Sequence, residues 1–264
     1  MPWRRWFSDN GPPWTRATET FLNPPPIDLW GITASVVPLL GGHRNRAFRT
    51  LGLDNDLVFK TTRRDAAAIE WLVPMFGLAE QSGLIVPWPI KSRMGRYIEC
   101  GWTCELFIHG APFRGEDMSG IASHIHSFHE STWNFRQRPG FLSARELLDH
   151  DIGGDINLSE MPSDIIALCR KAWSRIEAYP MCVVHGDLNA SNLLRTKDGR
   201  VAILDWDESR VDASLFDIRQ LTLSDPDEVA EAATMAWEVA CSWNIEPVHA
   251  LRVAEKLIQK TGTK

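Results

Sequence analysis

The stretch MCVVHGDLNASNLLRTKDGRVAILDWDES, Met181 to Ser209, decides how this chain is read. Asp198-Gly199 is a hairpin turn signal, flanked by the apolar runs LLRT and VAIL. A two-residue turn there pairs Lys197 with Arg200, Leu194 with Ile203 and Asn192 with Asp205. Directly opposed side chains share a face, with Cβ atoms ~4.5–5.5 Å apart. The turn therefore predicts an amide oxygen beside a carboxylate at the open end of the hairpin. Two hard oxygen donors of this kind suit Mg²⁺, which takes a few protein oxygens and fills its shell with water and phosphate. A one-residue bulge would break the register.

Upstream, CVVHGDLNASN carries an apolar strand into a loop holding Asp187, five residues before Asn192. Asp187 can face the same cleft without joining the ladder. A carboxylate near a metal but free of it is what a hydroxyl nucleophile needs, an acceptor that orients the O–H and takes its proton. The bland alternative is that Asp187 and Asn192 only cap and shape a loop. Asp205 opposite Asn192 weighs against it.

Around this hairpin the chain changes character. From Ser35 to Phe107 the pattern is mainly β: SVVPLL, RAFRTLGL and LVFKTT form three short strands. DAAAIEWL reads as a helix that Pro74 should kink or end, and LIVPWPIKS and RYIECGWTCELFI read as further strands. After the HGAPFRGE loop the spacing turns helical, at Met118–Glu130, Ala144–Asp149, Pro162–Ala178 and Pro226–Asn244. Residues 1–34 hold many Trp and Pro and are expected to pack as an irregular extension. The expected units are thus 1–34, a strand-rich lobe at 35–107 and a mainly helical lobe at 108–264.

The 264 residues carry 28 Lys+Arg against 34 Asp+Glu, a net charge of −6, which disfavours a nucleic-acid partner. No window nears the ~20 apolar residues of a membrane span, and MPWRRWFSDNGPPW lacks the ~7–15-residue apolar core of a secretory signal. Five scattered cysteines make no disulfide framework, and a cytoplasmic protein without a membrane partner is expected. Cys100 and Cys104 have no second Cys/His pair to complete a zinc site. His126 and His129, three apart on a predicted helix, lack a carboxylate partner in a zinc-type motif and read as structural.

His185-Gly186-Asp187 through Asn192, followed by Ile203-Leu204-Asp205-Trp206-Asp207, resembles the catalytic and metal-binding segments of aminoglycoside phosphotransferases and choline kinases. The resemblance runs backwards in order. PLLGGHRNRAFRT resembles the family's nucleotide loop, with Gly41, Gly42 and Asn45. LVFK resembles the third strand, with Lys60, and AAAIEWL would supply the helix acid, Glu70. TCELFIHGAPF resembles the interlobe linker, with Glu105, Phe107 and Ile108 as cofactor-binding positions. SLFDIRQL resembles the segment whose aspartate, Asp217, braces the catalytic loop together with His185.

The resemblance implies an α+β, bilobal, protein-kinase-like fold, with an antiparallel N-terminal sheet lobe and a larger helical lobe carrying the hairpin. It implies ATP (or GTP) and Mg²⁺ as cofactors and a small-molecule alcohol as acceptor. Asp187 would be the catalytic acid–base group, Asn192 and Asp205 the metal ligands, and Asp207 a substrate or second metal contact. Lys60 would hold the nucleotide phosphates, with Glu70 holding Lys60. The carboxylates Asp187, Asp205, Asp207, Glu208 and Asp212 favour a cationic acceptor such as an aminoglycoside, choline or an amino alcohol. Alternatives are a homoserine or sugar kinase of this family and a non-catalytic nucleotide-binding module. A metal phosphoesterase would have no use for Lys60, and a protein kinase would need an activation segment between Asp205 and Asp217.

Overall fold

The computed structural model describes residues 24–39, 45–221 and 227–261. Gly41, Gly42 and most of the Trp/Pro-rich extension lie outside the described residues. The last turn of that extension, Ile27–Trp30, packs by its tryptophan. The Trp30 indole N–H donates to the Ile90 carbonyl at 2.8 Å, and its ring meets Phe59 edge-on at 5.3 Å.

Strands β1 (Ser35–Leu39), β2 (Ala47–Leu51) and β3 (Leu57–Thr61) follow in sequence. Helices α1 (Ala66–Glu70) and α2 (Leu72–Gln81) come next. The Asp65 carboxylate caps α1 by accepting the Ala68 N–H at 2.8 Å. Pro74 neither kinks nor ends a helix. It is the third residue of α2, where its missing N–H has no intrahelical acceptor to lose. The break falls earlier, at Trp71.

The segment LIVPWPIKS is not a full strand. Only β4 (Leu84–Ile85) forms before the prolines, which lack the N–H a ladder needs. RYIEC is likewise turn and loop, and pairing resumes at β5 (Trp102–Leu106). The first sheet is antiparallel, in the order β1-β2-β3-β5. Trp30, Phe48, Phe59 and Trp102 fill its inner face.

Beyond it come β6 (Ala111–Pro112), α3 (Ala122–Ser131), the two-residue strands β7 (Ile152–Gly153) and β8 (Ile156–Asn157), and α4 (Ser163–Trp173). Then β9 (Met181–Val184), β10 (Leu193–Arg195), β11 (Val201–Ile203) and β12 (Arg210–Ala213) lead into α5 (Leu215–Ile218), α6 (Glu228–Ser242) and α7 (Pro247–Thr261). Helix α7 has no counterpart in the sequence reading, although Ala250, Val253, Ala254 and Leu257 are all buried at helical spacing.

The hairpin β10–β11 sits in a sheet of order β4-β11-β10-β6. Its β4 edge runs parallel to β11 and comes from before β5, so this sheet joins the two halves of the chain. One apolar cluster seals the joint, where Leu72, Met75 and Phe76 of α2 meet Leu193, Ile203 and Trp206. A second, larger cluster of α4, α6 and α7 residues forms the body of the C-terminal half.

Candidate active site

The hairpin turn is three residues long, not two. The Thr196 N–H donates to the Arg200 carbonyl at 2.9 Å and the Gly199 N–H to the Thr196 carbonyl at 2.9 Å. Gly199 lies in the left-handed region at φ +84°, which is the geometry of a turn closed by a glycine bulge. The ladder consequently pairs Leu193 with Ile203 and Leu194 with Ala202, one residue off the expected register. Asn192 faces Leu204, whose N–H donates to the Asn192 carbonyl at 2.8 Å.

A one-residue slip should send Asp205 to the opposite face. Its backbone compensates, because Asp205 is itself left-handed, at φ +61° and ψ +63°. For a residue other than glycine this costs roughly 1–3 kcal/mol. Asp205 and Asn192 line one cavity of about 620 Å³, together with Lys60, Asp187 and Asp207. Hairpin pairing is therefore corrected, while the two side chains still share a cleft.

Asp187 is exposed at the mouth of the loop. Its two carboxylate oxygens accept from Asn189 Nδ2 at 3.0 Å and Asn192 Nδ2 at 2.9 Å. Asn192 Nδ2 also donates to the Asp187 carbonyl at 2.9 Å, which fixes the amide and leaves its oxygen for another partner. Beneath the loop, buried Asp217 accepts the backbone N–H of His185 at 2.7 Å and of Gly186 at 3.1 Å. The same carboxylate meets His129 Nε2 at 3.0 Å. Burial opposes its charge, but these donors hold its carboxyl below the ordinary aspartate value.

His185 Nε2 lies 2.8 Å from the Leu204 carbonyl, which can only accept, so Nδ1 is left to receive the Asp187 N–H at 3.3 Å. The histidine thereby ties the loop to the end of β11. Gly186 is needed where the loop crosses the neighbouring one. At φ +87°, an added Cβ would stand 2.6 Å from the Glu208 carbonyl oxygen and 2.8 Å from Arg210 Nη1.

Lys60 pairs with Glu105, not with Glu70. The Lys60 Nζ to Glu105 Oε1 distance is 2.6 Å. Lys60 lies opposite Thr103 in the β3–β5 ladder, so Glu105 is its diagonal neighbour on the same face. Glu70 is an exposed residue at the end of α1, while the preceding Ile69 faces inward and lines the small cavity behind Lys60. Burial works against the Lys60 ammonium, but Glu105 and then Asp205 hold it above the ordinary lysine value.

Phe107 and Ile108 line neither cavity. The Phe107 ring lies under the Arg49 guanidinium at 3.8 Å instead, and its N–H donates to the Asp56 carbonyl at 2.9 Å. Asn45 lines both cavities. Asp212 is also absent from the cleft. It is fully buried, paired with Arg210 at 2.8 Å, and burial pushes its carboxyl upward.

Several residues of the site gave no sequence signal. Arg64 and Arg138 hold the segment 206–209 from positions far away in the chain. The far wall of the large cavity comes from Thr234, Trp237, Glu238, Cys241 and Ser242 of α6, with Glu246 and His249 beyond. Those α6 residues recur at three- and four-residue spacing, so one helix face supplies them, and a helix drawn over Pro226–Asn244 already contains that stripe.

No group of three or more His, Cys, Asp or Glu suited to a metal ion occurs among the described residues. No helix among them is long and apolar enough to cross a membrane. The sequence pattern of the phosphotransferase enzyme family (APH) matches residues 35–251. No curated protein sequence matches the chain. Among solved structures, choline kinase LicA from Streptococcus pneumoniae superposes with a TM-score of 0.64 at 14% identity, covering 88% of this chain and 95% of that one.

Spectinomycin phosphotransferase APH(9)-Ia, in complex with ADP and spectinomycin, gives 0.56 at 11% identity over 90% and 95% of the two chains. The GDP and kanamycin complex of APH(2")-IIia gives 0.58 at 12% identity over 90% and 97%. These likenesses make the fold the bilobal, protein-kinase-like α+β fold. With its matched pattern spanning most of the sequence, the chain belongs to the phosphotransferase enzyme family.

Proposed function

We propose that this chain is a small-molecule kinase, moving the terminal phosphate of ATP or GTP to a hydroxyl of a cationic acceptor. One observation carries the reading. A single cavity of about 620 Å³ is lined at one end by Lys60, Asp187, Asn192 and Asp205 and at the other by an acid-bearing wall on α6 and beyond. The nucleotides bound by the spectinomycin and kanamycin phosphotransferases support a nucleotide at the first end.

The donor set fits Mg²⁺. Asn192 offers an amide oxygen whose partner nitrogen is already committed to Asp187, and Asp205 offers an exposed carboxylate. Two protein oxygens are what Mg²⁺ uses when phosphates and water complete its octahedron. Bound there, it would neutralise charge on the phosphates. Lys60, anchored by Glu105, would hold the nucleotide phosphates as a point charge. Asp187 would orient the acceptor hydroxyl and take its proton as the new P–O bond forms and the nucleoside diphosphate leaves. Positioning and charge complementarity do the rest.

The same cavity is also lined by Glu208, Glu238 and Glu246. That composition favours an amine or quaternary ammonium through charge. Arg219 on the same wall favours a second reading, a zwitterionic hydroxy acid such as homoserine. A panel of aminoglycosides, amino alcohols, choline, homoserine and sugars, scored by acceptor-dependent ADP release, separates these readings. Asp187→Asn should lower transfer by roughly 10²–10⁴-fold with nucleotide binding intact. Equal loss of both would make Asp187 structural, and nucleotide binding without transfer to any acceptor would favour the non-catalytic module.

A further inference from the structure

Asp207 stands two residues beyond Asp205 and lines the same cavity, yet both its carboxylate oxygens are occupied. Arg64, in the link between β3 and α1, donates from Nε to Oδ1 at 3.2 Å and from Nη2 to Oδ2 at 3.1 Å. The other side of the same guanidinium grips Asp155, in the tight turn between β7 and β8, through two bonds of 2.8 Å. The Arg64 side chain is 8% exposed and rests against the Phe141 ring at 4.8 Å. On the backbone side, Arg138 Nη1 donates to the Asp207 carbonyl at 2.8 Å. Asp205 has no such holder. It is exposed, and no side-chain hydrogen bond or ion pair to it occurs among the described residues.

We propose that Arg64 is a positioning residue that withholds Asp207 from the metal site, so that Asp205 and Asn192 alone supply the protein oxygens for divalent ions and Asp207 serves as a strut between the two lobes. The inference rests on the kinase reading above and goes beyond it by dividing the work of two neighbouring aspartates. A guanidinium fork on both oxygens satisfies a carboxylate fully and cancels its charge. A cation approaching Asp207 would have to displace a buried arginine that Asp155 holds in place. Releasing Arg64 would instead expose a second carboxylate beside Asp205, and divalent affinity rises with the number of charged oxygen ligands.

The test counts Mn²⁺ bound to the full chain in saturating ADP, by electron paramagnetic resonance of the free ion. The wild type sets the number of ions bound and their affinity, and Asp205→Asn should weaken that binding by about tenfold or more. Asp207→Asn, which keeps shape and an acceptor oxygen, should leave stoichiometry and affinity as in the wild type. Arg64→Gln should gain an ion over the wild type or bind about tenfold more tightly, and Arg64→Lys, which keeps the charge but not the fork, should fall between the two.

A large loss of Mn²⁺ in Asp207→Asn would overturn the proposal, since Asp207 would then already be a ligand. Wild-type binding by a folded Arg64→Gln protein would overturn it too, and if that variant fails to fold, Asp207→Asn decides alone. Failure of the parent reading looks different. The wild type would bind no ion, or Asp205→Asn would change nothing, and the proposal would fall with it.

Discussion

Two loops meet at the cleft, and they are held by opposite chemistry. The segment 185–187 is pinned by an acid. Asp217 accepts the N–H groups of His185 and Gly186, and His129 supports it from α3. The segment 206–209 is pinned by bases. Arg138 donates to the carbonyls of Trp206, Asp207 and Ser209, and Arg64 donates to the Asp207 carboxylate. Each anchor suits what its loop presents. The first loop turns N–H groups inward and frees a carboxylate above, and the second turns carbonyls inward. The anchors also differ in reach. Asp217 and its loop both belong to the C-terminal half, whereas Arg138 also donates to the Ala68 carbonyl of α1 and so links the second loop to the N-terminal half.

Removing Arg138 should therefore do the greater damage. Arg138 is 1% exposed, and burial pulls its guanidinium down to about 10. It stays charged at neutral pH and donates to four backbone carbonyls, three of these bonds being buried. Arg138→Leu should cost about 4 kcal/mol, read as a lower denaturant midpoint, because those carbonyls lose a charged donor at once. A loss below about 1 kcal/mol would mean that water replaces the arginine and that the second loop needs no anchor.

Asp217→Asn comes next, at about 3 kcal/mol, since an amide has one acceptor oxygen for two backbone donors and turns its NH₂ toward one of them. Its pH signature separates it from Arg138. The folded Asp217 carboxyl lies below its ordinary 3.8, so its contribution is complete above that pH and fades as pH falls through the lower folded value. The variant should lose that part of the acid-side decline in stability, and an unchanged acid limb would remove Asp217 from its role.

The same contrast of reach explains what the sequence revealed. Asp187, Asn192, Asp205 and Asp207 fall within 21 residues, and the fold class was implied by the family resemblance that stretch carries. The hairpin register did not. Asp-Gly serves a two-residue turn and a three-residue turn with a bulge equally well, because both place glycine at positive φ. The shift of one residue was illegible, and so was the left-handed Asp205 that offsets it. Arg64 meets its partners 91 and 143 residues away, and no local pattern encodes such a pairing. Glu70 attracted attention by sitting in a helix after Lys60. The acid that meets Lys60 is set instead by the β3–β5 register, and that register was not predicted.

The smallest expected effect tests that last point and extends the comparison to the N-terminal wall of the cleft. The Lys60–Glu105 pair is about one-fifth exposed on each side, so solvent screens it and its share of stability is small. Under the proposed function its value lies in aim, since a lysine on a flexible stem needs a fixed partner to present its charge to a phosphate. Glu105→Gln should raise the KM for nucleotide by about tenfold, with the melting temperature nearly constant. Glu70→Gln should leave both unchanged, because the exposed end of α1 does not touch Lys60. The reverse outcome, with Glu70→Gln impaired and Glu105→Gln normal, would mean that Lys60 changes partners when nucleotide binds. The cleft would then close by moving α1 toward β3, and the fixed anchors of the two loops would be the frame against which it moves.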